Sequence, residues 1–330
     1  MDVVGTRVEA PKNAAYAAAR TLSDGQAKPT GSLGRLEELA AWAAAVQGFC
    51  PPREFEDVRV DVFAGDHGVA ASGVSAYPSA ITAAMVRGIA AGRAGVSALA
   101  AANGVRVAVH DIAVATDFPD LPGVGRHKVR RSSAPIQLAD AIAADQIADG
   151  AQLLIAGDLG IGNTTIAAAL IAASLGVPAA AVTGRGTGID DDSLDHKEAI
   201  IDAALARVGE RRLKDPVQVL TALGSADLAA GVGYITGAAR RGVPVLVDGV
   251  IAAAEALIAE HYAPGTKAWL QAGHRSTEPG QALALDRLGL RPLVDLGMHL
   301  GEGSGAVMAV PVLRSAVAAL AGVALLADLV

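Results

Sequence analysis

The sequence predicts an α/β protein built on a mostly parallel sheet, with its loops gathered along one sheet edge. Three observations predict it. Short apolar runs recur along the chain, and each ends in a small polar cluster that feeds a helix, the pattern of strand–turn–helix units. Hydrophobic residues make up 52% of the 330-residue chain but aromatic residues only 3%, so the core must be built from Ala, Val, Leu and Ile. Near the C-terminus, Leu293–Leu296 reads as one more buried strand. It is followed by Gly301-Glu-Gly-Ser-Gly305 and a long Ala/Val/Leu helix.

Residues 12–23 and 34–48 read as helices, separated by a turn that Pro29, Gly31 and Gly34 punctuate. Pro51-Pro52 ends the second helix and marks a boundary. Val58–Ala64 is the first strand, and Gly65-Asp-His-Gly68 follows it at the end where open α/β sheets bind ligands. Asp66 and His67 are therefore candidate functional residues; the competing reading is a turn in which Asp66 caps the next element. Ser72–Pro78 is a loop, Thr82–Ala91 a helix, Val105–Val114 a strand and Pro119–Gly125 a turn. Arg126-His-Lys-Val-Arg-Arg131 reads as a basic patch near the crevice or as a solvated face.

Leu153–Ala156 is the next strand, and Gly157–Thr165 the turn that opens an Ala-rich helix. Gly160, Gly162, Asn163 and Thr164 would present N–H groups and hydroxyls at the helix N-terminus, a ready anion site. The turn lacks the Gly-Lys-Ser/Thr of a P-loop, and Thr165 stands where the dinucleotide fingerprint needs Gly. Phosphate fits this turn better than ATP or NAD. The pattern then recurs. Ala179–Thr183 reads as a strand, Gly184-Arg-Gly-Thr-Gly188 as a second glycine loop, and Ser193–Val208 as a helix. Lys197 would add a charge to a phosphate held there, or is a solvated surface lysine. Gly224–Asp227 precedes another helix. Val243–Val247 is a strand ending in Asp248-Gly249, and Ala268–Gln271 a strand ending in Ala272–Glu278.

Glu302 then falls on a glycine-flanked turn before the last helix, where glycines let another molecule approach the backbone. A lone carboxylate among small apolar residues is poorly solvated, which raises its pKa and makes it a usable general base. The same position suits a plain helix cap.

The formal charge of −7 argues against a nucleic-acid binder, and the basic residues cluster only at Lys128-Val-Arg-Arg131. The single cysteine, Cys50, allows no intramolecular disulfide and fits a reducing cytoplasm. No signal peptide is evident, and charges and glycines interrupt the Ala-rich stretches too often for a membrane span. The histidines show no H-x-x-x-H or H-E-x-x-H spacing, and there is no G-x-S-x-G elbow.

Six motifs occur in register: Lys28-Pro-Thr-Gly-Ser-Leu-Gly-Arg-Leu-Glu37, Ala64–Val69 with Gly73–Pro78, Gly160–Thr165, Leu246–Gly249, Gly273–Ser276 and Leu300–Ala306. Together they resemble the nicotinate-nucleotide–dimethylbenzimidazole phosphoribosyltransferase family over nearly the whole chain. The resemblance implies a Rossmann-like sheet spanning 56–305 and a small helical domain from both chain ends, 1–55 joined by a C-terminal helix over 306–330. It implies a homodimer, no metal and no cofactor, with nicotinate mononucleotide and a heteroaromatic base as substrates. By matching position, Glu302 is the implied base that takes the imidazole proton, so that C1′ is attacked with inversion. Asp158, Gly160, Gly162, Asn163, Thr164, Thr165, Gly184, Gly186, Gly188, Lys197 and Ser276 stand on the implied nucleotide side. Asp66, His67, Tyr77, Pro78, Met85 and Leu300 stand on the implied base side, with Asp227 and Asp248 in support.

The chain departs from the family after Arg131, where it is shorter by about two dozen residues. Ser79 and Ala84 also stand where relatives often carry polar residues facing the base. These departures lead us to expect a more open pocket. They keep a different azole or purine acceptor, and a catalytically silent nucleotide-binding homologue, as alternatives.

Overall fold

A computed structural model describes residues 6–129, 134–209 and 215–329. Five strands form one parallel sheet: β1 (Val58–Gly65), β2 (Val105–Ala113), β3 (Leu153–Leu159), β4 (Val245–Val247) and β5 (Leu270–Ala272), in the order β2-β1-β3-β4-β5. The order reverses between β1 and β3. That switch opens a crevice at the C-terminal strand ends, where ligands of open α/β sheets bind.

Side chains alternate across the sheet, as the two-residue strand period requires. In β1, Val58, Val60, Val62 and Ala64 point to one face and Phe63 to the other. The first face is covered by α1 (Asn13–Gly25), α2 (Arg35–Gln47), α3 (Ile81–Ala90), α4 (Gly95–Ala102) and the last long helix, α12 (Ser304–Gly322). The second face carries α5 (Pro135–Ala148), α6 (Asn163–Leu175), α8 (Pro216–Leu223), α9 (Ala226–Arg240), α10 (Val250–Tyr262) and α11 (Pro279–Leu288). Helix α7 (Asp191–Val208) packs on α6. Fully buried alanines such as Ala41, Ala43, Ala44, Ala253 and Ala254 let helices approach closely, so few aromatic side chains are needed.

Helices from the two chain ends meet. Helix α12 packs on α2, the Gln26 amide donates to the Leu320 carbonyl at 2.9 Å, and the Trp42 indole donates to the Ala268 carbonyl at 3.1 Å. Helix α12 is long and apolar enough to cross a membrane by length and composition. Half of its apolar stretch is buried inside the protein, which is what a core helix needs.

Two expectations need correction. Ala179–Thr183 is not a strand: Ala179–Ala181 forms a short 3-10 turn, and Thr183 closes it by donating its hydroxyl to the Ala179 carbonyl at 2.8 Å. The run has no sheet neighbour because β3 pairs directly with β4. Leu293–Leu296 makes only a single parallel bridge, Val294 to His274, and Leu296 is exposed. Of the basic patch, Arg126 to Val129 lie on the short turn after β2, and Arg130 and Arg131 fall outside the described residues, as does the start of the shortened segment.

Candidate active site

A cavity of about 510 Å³ opens at the C-terminal ends of β3, β4 and β5. Its floor is the turn from β3 into α6. Gly162 takes φ +94 to start the helix. Gly160 is held by contact, since a Cβ there would lie 2.3 Å from the Gly65 carbonyl oxygen and 2.4 Å from the His67 ring. Asp158, at the end of β3, accepts a hydrogen bond from the Asn163 side-chain amide at 2.7 Å. Burial, then the neighbouring Asp227, hold the Asp158 carboxyl well above the ordinary range, against the opposing pull of His67 and Asn163.

The second glycine loop, 184–188, forms one side. Its backbone N–H at Gly186 donates to Glu278 Oε1 at 2.8 Å. Gly184 has no room for a side chain, because a Cβ would fall 2.1 Å from the Glu278 carboxylate. Lys197, fully buried on α7, donates to Thr164 Oγ1 at 2.9 Å and to the Gly184 carbonyl at 2.8 Å. Burial lowers its pKa, and the Glu278 charge partly restores it. The ammonium thus clamps the two glycine turns from behind the cavity wall, with Glu278 as its charge partner.

The opposite wall comes from β4, β5 and the turn before α12. Asp248 accepts from the N–H groups of Gly303 (3.1 Å) and Ala306 (2.8 Å), satisfying donors at the α12 N-terminus. His274 Nε2 lies 3.5 Å from Asp248 Oδ1, an electrostatic contact longer than a normal hydrogen bond. Glu302 is the single non-glycine residue with positive φ among the described residues, at +62. Its carbonyl sits where a Cβ on Gly157 would be, 2.7 Å away, so β3 and the α12 turn touch backbone to backbone. Glu302 lines the cavity and is 4% exposed, and its carboxylate accepts from the Val96 N–H at the start of α4 at 3.4 Å. Burial raises its pKa, with a smaller push from Asp248; the Val96 N–H opposes both. Glu302 therefore stands in the cavity and is not the helix cap, a role Asp248 fills.

The structure brings Glu302, Asp158, Gly160, Asn163, Thr164, Gly186, Ser276, Tyr77, Leu300 and Asp248 to one cavity. Gly162 and Thr165 belong to the same turn and helix but not to the lining; Gly184 and Lys197 lie behind the wall, and Gly188 closes its loop at φ +90. Four residues placed on the base side do not line it. Asp66 accepts from the Ala115 N–H at 2.8 Å, beyond the end of β2. His67 turns inward to Asp227, at 2.8 Å. Pro78 is exposed on its loop, and Met85 packs on the core beneath α3. Asp227 is buried beside His67.

Sequence reasoning assigned no role to His274, Glu278 or Glu255. The first two lie in the polar cluster ending β5, and that clustering was the available signal. Glu255 had none: it sits mid-helix on α10, fully buried, with neither carboxylate oxygen hydrogen-bonded among the described residues. Burial and then Asp158, Asp227 and Asp248 push its pKa well up. Among the described residues no group of three or more His, Cys, Asp or Glu is placed to hold a metal ion.

The family model described as phosphoribosyltransferase matches residues 8–329. A nicotinate-nucleotide–dimethylbenzimidazole phosphoribosyltransferase of Mycolicibacterium paratuberculosis is 52% identical, over 97% of this chain and 96% of its own length. The protein of the same name from Mycobacterium tuberculosis is 53% identical, over 96% of this chain and 91% of its own. A crystal structure of CobT from Thermus thermophilus superposes with a TM-score of 0.88 at 41% identity, covering 93% of this chain and 96% of that one.

Proposed function

The chain belongs to the nicotinate-nucleotide–dimethylbenzimidazole phosphoribosyltransferase family, and we propose that it moves the phosphoribosyl group of nicotinate mononucleotide to a benzimidazole-type base with Glu302 as general base. The observation that supports this reading is that Glu302 lines the same cavity as Gly160, Thr164 and Gly186.

The step balances. The Glu302 carboxylate takes the N–H proton of the bound base, which leaves the other ring nitrogen to attack C1′ with its lone pair. The bond from C1′ to the nicotinate nitrogen breaks, and its electrons return to that nitrogen, discharging the pyridinium. Attack from the face opposite the leaving group turns a β-nucleotide into an α-nucleotide. A carboxylate with a raised pKa is a better proton acceptor at neutral pH than an ordinary one. Holding both reactants in one cavity supplies up to roughly 7–11 kcal/mol of the barrier reduction.

The α6 N-terminus and the hydroxyl of Thr164 are the groups we assign to the phosphate, through N–H donors at the positive end of the helix dipole. Lys197 acts at one remove, by fixing Thr164. Tyr77, Leu296 and Leu300 are exposed apolar side chains, and Tyr77 and Leu300 line the cavity. They suit burial against a second copy of the chain, in keeping with the homodimer that the resemblance implies. The free Cys50 suits a cytoplasmic enzyme.

The test is to incubate the protein with nicotinate mononucleotide and a panel of benzimidazoles, other azoles and purines, and to follow nicotinate release. Turnover with dimethylbenzimidazole alone removes the broader-acceptor alternative. Release with none of the bases overturns the transferase reading.

A further inference from the structure

His67 is an unused charged group next to the reaction site. It is 5% exposed, lies outside the cavity lining, and is covered by the Gly160 turn that forms the cavity floor. Both ring nitrogens are engaged. Nε2 donates to Asp227 Oδ2 at 2.8 Å, and Nδ1 donates to the Ile161 carbonyl at 3.1 Å. Both bonds at once need the doubly protonated ring.

Three elements meet at this imidazole. Asp227, on the first turn of α9, is buried, and its carboxylate packs where a Cβ on Gly65 would be, 2.6 Å away. Gly65 ends β1, and its carbonyl in turn abuts Gly160. Ile161 is then held at both of its flanking peptides: the Ile161–Gly162 carbonyl by His67, and the Gly160–Ile161 N–H by Thr82 Oγ1 on α3 at 3.4 Å. Gly160, Ile161, Asn163 and Thr164 all line the cavity, so these two peptides are part of its floor.

We propose that His67 is a positioning residue for the nucleotide: clamped by Asp227, it holds the Ile161 peptide and so fixes the turn that presents donors to the phosphoribosyl group. It does not contact the acceptor base. The inference rests on the reading of the cavity as a nucleotide site. It departs from the base-side role that motif position alone implied, and it concerns a side chain the reaction itself does not touch.

Two amides divide the two bonds. In His67→Gln the side-chain nitrogen overlays Nε2 and keeps the Asp227 contact, while the bond to Ile161 is lost. In His67→Asn the nitrogen overlays Nδ1 and keeps the Ile161 bond, while Asp227 loses its partner. The experiment measures steady-state KM for each substrate, nicotinate mononucleotide affinity by calorimetry, and amide hydrogen exchange of the peptide spanning 158–165. For His67→Gln we expect KM and Kd for nicotinate mononucleotide to rise about five- to tenfold, the effect of losing one organising hydrogen bond. KM for the base should stay at the wild-type value, and exchange should quicken across 158–165 but not across 184–188. His67→Asn should retain the nucleotide affinity and lose thermal stability.

A rise in KM for the base alone would return His67 to the acceptor side and overturn the proposal. Equal loss of stability in both variants, with nucleotide affinity and local exchange unchanged, would reduce His67 to a structural residue and overturn it as well. The exchange measurement needs no ligand. A wild-type protein that fails to bind nicotinate mononucleotide would therefore sink the functional reading, while the clamp on the turn is still judged separately.

Discussion

Asp248 caps the helix that Glu302 precedes. The two carboxylates flank the same helix N-terminus, yet the N–H groups of Gly303 and Ala306 both go to Asp248, and Glu302 turns to the cavity near the Val96 N–H. A carboxylate bound to helix N–H groups is stabilised in its charged form and is a poor proton acceptor. Relieved of the two α12 bonds, Glu302 keeps only the long contact to the Val96 N–H, which burial outweighs, and this division of labour sets the first expectations.

Glu302→Gln keeps size and polarity but cannot take a proton. Turnover should fall by about 10²–10⁴-fold, the usual worth of a positioned base, while nicotinate mononucleotide affinity stays near wild type. Calorimetry beside steady-state kinetics checks both. Turnover close to wild type would remove Glu302 from the base role.

Asp248→Ala removes the cap. Losing such a cap costs about 1 kcal/mol of stability, and stranding two buried N–H groups adds to it. Because the freed turn also carries Glu302 at its unfavourable positive φ, the turn should relax and turnover should fall as well. Urea unfolding and kcat together test this; a stable variant with full activity would contradict it.

The elements legible in sequence were those whose local pattern and tertiary setting agree. Val58–Ala64 and Leu153–Ala156 are apolar runs ending at Gly-rich turns, and both are central strands. Ala179–Thr183 carried the same apolar signal, but three consecutive alanines offer no β-branched surface to a neighbour, and the sheet closes β3 onto β4 without it. In the site, Glu302 and the glycine turns were legible because their flanking glycines are unusual. The division between cavity and supporting layer was not. Lys197 and His67 have polar side chains near the right loops, and only three-dimensional packing shows that both point behind the wall. Glu278 was invisible as a partner because its target is a backbone N–H 92 residues away in sequence.

The acid limb of the rate profile should belong to Glu302. Burial raises its pKa above the ordinary 4.5, so the active, ionised form appears only as pH climbs through that higher value. The kcat profile should therefore rise with pH to a plateau, with its midpoint above the ordinary glutamate range. A midpoint at or below that range would show a carboxylate that is not desolvated during the reaction.

Gly157→Ala tests the backbone contact between β3 and the Glu302 turn. The new methyl would sit 2.7 Å from the Glu302 carbonyl oxygen and 3.0 Å from the Val62 Cγ2, with backbone on one side and a buried side chain on the other. Overpacking of this kind costs about 1–3 kcal/mol. The easier escape is for the Glu302 turn to shift outward, so the loss of turnover should exceed the loss of stability. Unchanged kcat in a folded Gly157→Ala protein would mean that the carboxylate needs no such precise backing.

His67 makes stability depend on pH in a way a surface histidine would not. Burial opposes its charge, but Asp227, with help from Asp158 and the Ile161 carbonyl, outweighs burial and raises its pKa from 6.5 to about 9. The folded state thus binds the proton more tightly than the unfolded chain. The resulting stabilisation is fully present below pH 6.5 and drains away as pH rises through about 9. Its size is on the order of 3 kcal/mol. Wild type should therefore exceed His67→Gln in unfolding free energy most at the acid end of that window, with the gap narrowing towards its alkaline end. A gap that stayed constant across the window would mean that the imidazole is neutral in the folded protein, and that the bonds to Asp227 and Ile161 are not both donated by the ring.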